Sequence, residues 1–496
     1  MRLRSIIGKR WKAAAAAVFL SLLLFALLQF RSAGKAGQRS AEASQGLNHY
    51  GFDLVFRPDQ SELAVTMTLD YRNGTVDTLD HLILRTWAGA YRSEETSPAA
   101  IDALYDACYP DGFSPGAIRL EGCWWNGETV DAAFADEAQT VLRVSVPSLL
   151  PGASGRLLLR CRLTVPKCAH RFGHAGDAWQ FGNALPILSV YENGSWRADA
   201  YSPIGDPFYS ECANYDVTLI APEGYLCAAT GSQSVEKRAD GTQLFRMKAL
   251  AVRDFAFALS PSWQHARKNL HGVRIDAYAP SADGAGRAAD DLFRILTVYE
   301  KLYGEYAWDT CCVCAVGFPL GGMEYPTLIF ADPSYFTKDW ADTLELLLAH
   351  EAAHQWFYSL VGSDQFGEPW QDEALSEYAM LRYIREKYGR GAYENLRILR
   401  VDAPMRERIP ERVTPATPID CFGSYDAYTA VVYGRGAAFL LAADELTGKL
   451  DTLLKAYCDR FAFSVASRAD FAALLSDCTG EDLGPLMTDY LDTLIL

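Results

Sequence analysis

The stretch HEAAHQWFYSLVGSDQFGEPWQDE, from His350 to Glu373, decides the fold of this chain. It opens with an H-E-x-x-H motif, and residues four apart on a helix return to nearly the same face. His350 and His354 can therefore bind one ion. Glu373 follows His354 after eighteen residues. A second helix that starts at Pro369 and ends before Gly389 would bring this carboxylate back to the two imidazoles.

The residue types in this stretch match a catalytic zinc site. Two neutral imidazoles and one carboxylate bind zinc and leave a fourth position for water. The stretch therefore predicts one zinc ion per chain, held by His350, His354 and Glu373. Glu351 follows the first ligand directly and projects beside the ion, where a carboxylate can act as general base. Glu377, one turn beyond Glu373, is an expected partner for a ligand imidazole, although a solvent-facing glutamate fits equally well.

Apolar residues at helical spacing predict the helix that carries the motif. Gly362 is its expected end. The alternative is a chance H-E-x-x-H on a surface helix, but the chain holds only 8 His in 496 residues, so such a pair is uncommon. The apolar residues that support the helix are Trp340, Leu344, Leu347 and Leu348.

Length and composition indicate a large globular protein. A chain of 496 residues is long enough for two or three domains and a sizeable core. Half of the residues are apolar and 22% are charged, which is ordinary for globular domains. The formal net charge of −16 argues against nucleic acid as the main partner.

The N-terminus differs from the rest of the chain. Residues 1–12 are basic, and residues 13–30 are uncharged and apolar. This run would rise about 27 Å as a helix, close to one hydrocarbon thickness. We therefore predict a transmembrane signal anchor, a cytoplasmic N-terminus and a catalytic domain on the non-cytoplasmic side. A cleaved signal peptide is the alternative. Residues 31–46 are small and polar, which predicts a flexible linker.

The remaining chain predicts an α+β protein in two parts. From residue 47 to 262, alternating apolar residues and hairpin-type turns predict a β domain, a sandwich or a curved sheet. Residues 263–496 begin with strands around a helix, and beyond Trp340 nearly everything is helical. We expect a small mixed α/β lobe followed by a helical lobe.

Two weaker signals involve histidine and cysteine. His170 and His174 are four residues apart but lack a helical apolar stripe, which predicts a polar loop rather than a metal site. The chain also has 12 Cys, which suggests disulfides if the compartment is oxidising. The candidate pairs are Cys161 with Cys168, and Cys212 with Cys227.

Two segments flank the zinc stretch. Upstream, Gly321-Gly322-Met323-Glu324-Tyr325 lies between two predicted strands, and its glycines allow close approach of a ligand. Downstream, residues 425–436 place several tyrosines before an apolar helix. Together with the zinc set, these segments closely resemble the gluzincin aminopeptidases, the family of aminopeptidase N and the leukotriene-hydrolysing aminopeptidase.

The resemblance implies a saddle-like N-terminal β domain, a thermolysin-like zinc-peptidase domain and removal of N-terminal residues from peptides. It makes the same three residues the zinc ligands and Glu351 the general base. Glu324 would bind the free α-amino group of the substrate, and Tyr433 would steady the oxyanion. The residues that would line the peptide backbone are Gly321, Gly322 and Met323.

The chain also departs from the family pattern. Tyr325 replaces the usual asparagine, and Gly434-Arg435 replaces Glu-Lys after the tyrosine. The short distance from the catalytic helices to the end of the sequence predicts a form without the large C-terminal helical domain, and hence a more open cleft. A thermolysin-like endopeptidase shares the ligand spacing, and a catalytically inactive binding module on the same fold is a further alternative. Epoxide hydrolysis has no distinguishing feature in the sequence.

Overall fold

The structure, a computed structural model, describes residues 36–101 and 104–494. An eight-stranded sheet dominates the N-terminal half, and its long strands alternate buried and exposed side chains, as a sheet with one covered face requires. Two central strands run parallel and the other neighbours antiparallel. In spatial order the strands are Ser232–Lys237, Thr242–Val252, Ala213–Pro222, His49–Arg57, Glu62–Arg72, Ser154–Thr164, Ala117–Trp125 and Glu128–Thr129.

Two four-stranded sheets cover the buried face of the large sheet, and their apolar side chains share one core with it. Phe56 of the large sheet packs edge-on against Trp179 and Phe181, with ring centroids 5.0 and 5.8 Å away. A short hairpin pairs Tyr191–Glu192 with Ser195–Trp196. The strands of the two sheets are Leu226–Ala229, Phe257–Ser260, Ala178–Phe181 and Phe172–Ala175 in one, and Ile187–Leu188, Leu79–Arg85, Val141–Leu149 and Ala132–Phe134 in the other.

A mixed five-stranded sheet follows, with the helix Ala282–Tyr303 packed against it. Ser281 starts this helix, because its hydroxyl accepts a hydrogen bond from the N–H of Gly284 at 3.1 Å. In spatial order the strands are Gln264–Leu270, Val273–Ala279, Thr310–Ala315, Leu328–Ala331 and Gly322–Met323. The last of these is an edge strand, and it belongs to the predicted G-G-M-E segment.

Two helices carry the zinc-site residues of the stretch from His350 to Glu373. We call Ala341–Ala353 the His helix and Trp370–Tyr388 the Glu helix. Pro369 precedes the Glu helix and Gly389, at φ 81°, ends it, as predicted. The remaining helices of the helical part are Arg390–Arg397, Tyr425–Tyr428, Gly436–Thr447, Leu450–Arg460, Arg468–Thr479 and Gly484–Met487, with π-helical turns at Ile398–Asp402, Thr429–Arg435 and Thr488–Asp492.

The His helix ends earlier than predicted. Its last residue is Ala353 and His354 forms its C-cap, so Gly362 is not the end of the helix. Beyond Ala353 the chain continues in hydrogen-bonded turns, and Tyr358 adopts a φ of 146°, which no α-helix contains. The mixed α+β architecture itself is confirmed, with a β-rich N-terminal part and a helical C-terminal part.

The predicted membrane-anchored localisation is contradicted. Among the described residues, no helix is both long enough and apolar enough to cross a bilayer. The longest, Ala282–Tyr303, is amphipathic and carries charged residues along its length, which a bilayer core would not tolerate. Residues 1–12 and 13–30, on which the prediction depended, lie outside the described residues, as does the start of the predicted linker. Within that linker, Gln38–Ala43 forms a short helix.

Two further predictions are wrong. Neither candidate disulfide forms, since all twelve cysteines lie among the described residues and are free thiols. Ten of them are buried, where they fill the core as small apolar side chains. His170 and His174 are not in a polar loop. His170 is buried with its Nδ1 2.6 Å from the Tyr91 hydroxyl, and His174 lies on a strand and stacks on Trp179.

Candidate active site

A cleft of about 440 Å³ lies between the His helix, the Glu helix and the edge strand Gly322–Met323. Arg171 and Asp206 form part of its wall. Both belong to the β-rich N-terminal part of the protein, which we call the β region. The volume of the cleft lies in the usual range for sites that bind small ligands. Every residue predicted for the site except Glu377 lines this cleft: Gly321, Gly322, Met323, Glu324, His350, Glu351, His354, Glu373 and Tyr433.

Three side-chain atoms converge in the cleft and form a small triangle. The Nε2 atoms of His350 and His354 lie 3.2 Å apart. Glu373 Oε2 lies 3.2 Å from His350 Nε2 and 3.5 Å from His354 Nε2. Zinc bonds of about 2.0–2.1 Å at tetrahedral angles separate ligand atoms by about 3.3–3.4 Å. The triangle therefore fits one zinc ion, and its donors are those that catalytic zinc sites use.

Each imidazole of the triangle has a carboxylate near its other nitrogen. His354 Nδ1 lies 2.5 Å from Asp372 Oδ1, an arrangement that leaves Nε2 free to bind a metal. His350 Nδ1 lies 3.3 Å from Glu377 Oε2. Glu377 is in turn held by Arg400, which donates two hydrogen bonds of 2.7 and 2.9 Å to its carboxylate. These contacts restrict the orientation of both rings.

The carboxylates around the two imidazoles favour positive charge in the triangle. Burial alone would lower the pKa of His350, but the contacts with Glu373 and Glu377 raise it to about 9. Burial would raise the pKa of Glu373, yet both histidines hold it below its ordinary value. Likewise, Arg400 lowers the pKa of the buried Glu377 to about 2. The charge distribution therefore suits a cation, as the geometry does.

Glu351 projects from the His helix toward the edge strand and stands beside the triangle. It is buried, and a Cβ at Gly322 would lie only 2.5 Å from its Oε1. A glycine is therefore required here for the carboxylate to occupy this position. Burial raises the pKa of Glu351 to about 7. A carboxyl group with such a pKa can both accept and release a proton near neutral pH.

Glu324 is a buried carboxylate with an open acceptor. Its Oε1 makes no hydrogen bond with any residue that the structure describes. Burial raises the pKa of Glu324 well above its ordinary value. Leaving a buried polar atom unpaired costs about 1–3 kcal/mol, and more for a charged group. A cationic or hydrogen-bond-donating group of a ligand would remove this cost.

Gln355 holds the segment that carries Glu324. Its Oε1 accepts a hydrogen bond from the N–H of Thr327 at 2.8 Å, and its Nε2 donates to the carbonyl of Tyr325 at 3.1 Å. Because Gln355 directly follows His354, these bonds fix the segment against the end of the His helix. Oxygen atoms of Glu324 and Glu351 and a nitrogen of His354 consequently lie within 4.8 Å of one another.

Arg171 and Asp206 form a buried ion pair that brings the β region into the cleft. Arg171 Nη2 donates to Asp206 Oδ1, and its Nε lies 3.3 Å from Met323 Sδ. The arginine also contacts the ring of Phe318, 5.8 Å from its centroid. The β region thus supplies one wall of the site, although its sequence showed no catalytic constellation.

Tyr433 lies on the other side of His350. The two rings stack with their centroids 5.4 Å apart. Tyr433 belongs to the π-helical turn Thr429–Arg435, a geometry that is frequent at functional sites. Gly434 allows this turn to pass Pro404, since a Cβ there would lie 2.5 Å from the Pro404 Cβ. This explains why the chain departs from the family pattern at residue 434.

The departure at Tyr325 also has a structural reason. Its ring fits because Gly182 has no side chain, and a Cβ there would lie 1.8 Å from the Tyr325 hydroxyl oxygen. The hydroxyl donates to Asn183 Oδ1 at 3.0 Å, and Asn183 Nδ2 donates to Asp254 Oδ2 at 2.7 Å. The tyrosine thereby connects the Glu324 segment to the β region through a buried chain of hydrogen bonds.

Several residues of the site were not predicted from the sequence. Asp372 had a usable signal, since it precedes Glu373 in the first turn of a predicted helix. Arg400 had none, because 23 residues separate it from Glu377 and no periodicity connects them. Arg171 and Asp206 had none either, because 35 residues separate them.

Comparison with known proteins supports the family resemblance. Residues 287–490 match the Peptidase family M1 domain. The chain is 28% identical to aminopeptidase B of Mus musculus over 298 residues, which is 55% of this chain and 43% of that protein. Leucine aminopeptidase 2 of Aspergillus niger is 27% identical over 202 residues, 39% of this chain and 32% of its own length. The chain thus spans less than half the length of these relatives.

Structural similarity extends over nearly the whole chain. An M1 zinc metallopeptidase from Deinococcus radiodurans matches with a TM-score of 0.63 at 18% identity, covering 91% of this chain and 94% of that one. A mutant of it bound to a Tyr-Ser-Ala substrate also gives 0.63, at 17% identity. The fold and the arrangement of the site resemble those of the gluzincin metallopeptidases. Residues 287–490 match the peptidase family M1 domain, and the resemblance to the gluzincin aminopeptidase family is confirmed.

Proposed function

We propose that this protein is a zinc-dependent aminopeptidase that removes N-terminal residues from peptides with a free amino group. The observation that carries this proposal is the open, buried acceptor of Glu324 next to the ligand triangle. His350, His354 and Glu373 would hold one zinc ion per chain. When bound, the ion would lower the pKa of a water molecule to about 7 and polarise the substrate carbonyl.

Glu324 selects the end of the peptide. Its carboxylate binds the substrate ammonium by a charge-assisted hydrogen bond in a buried setting, where such bonds are strong. The amino nitrogen and carbonyl carbon of one residue lie about 2.5 Å apart. The spacing of the Glu324, Glu351 and His354 atoms, within 4.8 Å, therefore favours attack at the first peptide bond. An internal peptide bond has no ammonium to pair with this carboxylate.

Glu351 moves the proton. Its carboxylate accepts a proton from the attacking water and then passes it to the leaving amine. Tyr433 donates a hydrogen bond to the oxyanion of the attacked carbonyl. Because burial raises the pKa of Tyr433 well above its ordinary value, the phenol keeps the proton that this role requires.

Other residues orient the substrate and the ligands. Gly321, Gly322 and Met323 line the peptide backbone along the edge strand. Glu377 and Asp372 orient the imidazoles of His350 and His354 through the nitrogens that face away from the ligand triangle. The catalytic domain is residues 263–496, and the β domain of residues 47–262 contributes a wall of the cleft.

Matched peptides test this proposal. The full-length protein, loaded with zinc, should hydrolyse peptides with a free amino terminus at least about 100-fold faster than the same peptides N-acetylated, since acetylation removes the charge that Glu324 binds. A chelator should abolish hydrolysis and added zinc should restore it. Equal cleavage of free and acetylated peptides would instead indicate an endopeptidase. Stoichiometric zinc without any hydrolysis would indicate an inactive binding module.

A further inference from the structure

A second cavity lies where the β region meets the C-terminal helical part of the chain. Its volume is about 620 Å³, within the usual range for sites that bind small ligands. Its walls include residues from 71 to 77, the hairpin of Tyr191–Glu192 with Ser195–Trp196, and residues 463–465. Among the described residues, none lines both this cavity and the cleft between the His helix and the Glu helix, so the two sites are separate.

The second cavity contains one carboxylate that lacks a partner. Two other acidic residues line it, but both are paired within the protein. Asp77 Oδ2 accepts a hydrogen bond from the Tyr191 hydroxyl at 2.9 Å, and Glu192 Oε1 accepts one from Arg197 at 2.7 Å. Glu211 is exposed to water in the cavity, and its carboxylate makes no hydrogen bond and no ion pair with any residue that the structure describes.

The two arginines that line the second cavity do not fill this role. Each of the three guanidinium nitrogens of Arg253 already donates to a backbone carbonyl. Arg72 directs its Nη2 toward Gly152, where it would lie 3.6 Å from a Cβ, and Gly152 is not part of the cavity wall. Burial therefore raises the pKa of Glu211 above its ordinary value, although the charge of Arg253 opposes this shift.

Tyr71 supplies a second open group. The residue is only 5% exposed and lines the second cavity, yet its hydroxyl makes no hydrogen bond within the described part of the chain. Burial raises the pKa of Tyr71 to about 12, and the nearby Glu211 carboxylate acts in the same direction. The phenol therefore stays protonated and can both donate and accept a hydrogen bond.

An aromatic wall completes the second cavity. The rings of Tyr191 and Trp196 pack edge-on with their centroids 5.1 Å apart, and both residues line the cavity. Aromatic faces attract cations, and a planar guanidinium can also stack on them. The cavity thus combines an unpaired carboxylate, an unpaired phenol and aromatic rings.

We propose that the second cavity binds a small guanidinium compound, with Glu211 as its ion-pair partner and Tyr71 as a further hydrogen-bond acceptor. A guanidinium group presents planar N–H donors that match a carboxylate in a bidentate pair and leave further donors for a neighbouring oxygen. An anionic ligand would instead be repelled by the uncompensated charge of Glu211. The inference does not depend on the proposed aminopeptidase function, because it uses no residue of the other cleft.

The test uses Nα-acetyl-L-argininamide as the probe, since it carries a guanidinium group but no free amino group for Glu324. Its neutral counterpart of the same shape is Nα-acetyl-L-citrullinamide. We expect saturable binding of the arginine probe to the full-length, zinc-loaded protein by titration calorimetry. The citrulline probe should bind at least about tenfold more weakly, because it cannot form a charge-assisted hydrogen bond.

Variants locate the binding. In Glu211→Gln the affinity for the arginine probe should fall at least about tenfold, and in Tyr71→Phe by about two- to tenfold, as expected for a neutral hydrogen bond. Glu128→Gln is the matched control, since it removes the same charge from an exposed strand outside the second cavity, and it should leave the affinity unchanged. Glu211 and Glu128 are both exposed, so their variants are expected to fold.

Three outcomes would overturn the inference. The first is the absence of saturable binding at millimolar concentrations of the arginine probe, and the second is equal binding of the two probes. The third is full affinity in Glu211→Gln, and loss of affinity in Glu324→Gln would then locate the probe in the other cleft. Because the two sites are separate, none of these outcomes decides whether the protein is an aminopeptidase.

Discussion

Two walls of the cleft differ in the charged and hydrogen-bonding groups that surround their buried polar side chains. The ligand wall, built from the His helix and the Glu helix, places a carboxylate beside each imidazole: Asp372 lies 2.5 Å from His354 Nδ1, and Glu377, bound by Arg400, lies 3.3 Å from His350 Nδ1, although no hydrogen bond joins this second pair. The anchor wall is the Gly321–Glu324 segment together with the adjoining side chains of the β region. It leaves Glu324 Oε1 buried without a partner among the described residues.

The difference indicates separate tasks for the two walls. A connected network of charges and hydrogen bonds holds its members in one geometry, which a metal site requires. A buried acceptor without a partner is costly in the free protein, and the cost disappears when a ligand supplies a donor. The ligand wall therefore suits an ion, and we propose that the anchor wall binds the substrate.

The largest expected effect comes from Glu351, which stands between the two walls. In Glu351→Gln, kcat on free-amine peptides should fall by about 10²- to 10⁴-fold, because the amide cannot accept the proton. Zinc content, measured by elemental analysis, should stay at one ion per chain, since the three ligands are untouched. Turnover within tenfold of wild type would rule out the proposed general base.

A change in the anchor wall should alter substrate choice. In Glu324→Gln, kcat/KM for free-amine peptides should fall by about 10- to 100-fold, the value of a charge-assisted hydrogen bond. The preference for free over N-acetylated peptides should shrink by the same factor, while zinc content stays unchanged. A variant that keeps its full preference would show that Glu324 does not bind the amino group.

A substitution behind the ligand wall should weaken metal binding instead. In Arg400→Met, Glu377 loses its bidentate partner, and zinc affinity measured by chelator competition should fall by about tenfold. The preference for free-amine peptides should persist in the zinc-saturated variant. Arg385→Met, on the same helix as Glu377 but away from the cleft, is the control and should bind zinc as wild type does. Unchanged affinity in Arg400→Met would mean that Arg400 does not support the site.

The smallest expected effect concerns the C-terminal carboxylate of the peptide substrate. Because Arg171 and Arg400 already bind Asp206 and Glu377, the cleft offers neither arginine to a substrate carboxylate. Amidating the C-terminus of Ala-Leu-Ala should therefore change kcat/KM by less than about threefold, as expected for weak surface charge interactions. A tenfold preference for the free acid would reveal a carboxylate anchor in the cleft.

Local spacing made the ligand wall predictable. His350, Glu351 and His354 occupy one helical turn, and the 3.6-residue period alone brings two imidazoles together. Pro369 and Gly389 marked the bounds of the Glu helix, because proline and glycine have distinct backbone preferences. Glu324 was marked by the resemblance of the G-G-M-E segment to a known family, since neither periodicity nor spacing relates it to the histidines.

Long-range packing decided the rest. The sequence predicts the end of the His helix at Gly362, but the helix ends at Ala353, and Tyr358 beyond it adopts a φ of 146°, outside the helical range. The sequence left disulfide pairing open, because cysteine spacing carries no information about distance in the fold, and the structure holds free thiols instead.

The sequence by itself determined the mixed α+β class, because the periods of its apolar residues distinguish strands from helices. It also predicted the zinc ligands and the general base, from residue type and spacing. Only the tertiary structure decided what lies around them. Arg400 binds Glu377 and Arg171 binds Asp206, and the lack of a side chain at Gly322 leaves space for Glu351. The residues of each pair are too far apart in the sequence for a local pattern to predict their contact. The open oxygen of Glu324 is likewise a property of the packed protein, because a carboxylate oxygen without a partner is costly only when it is buried.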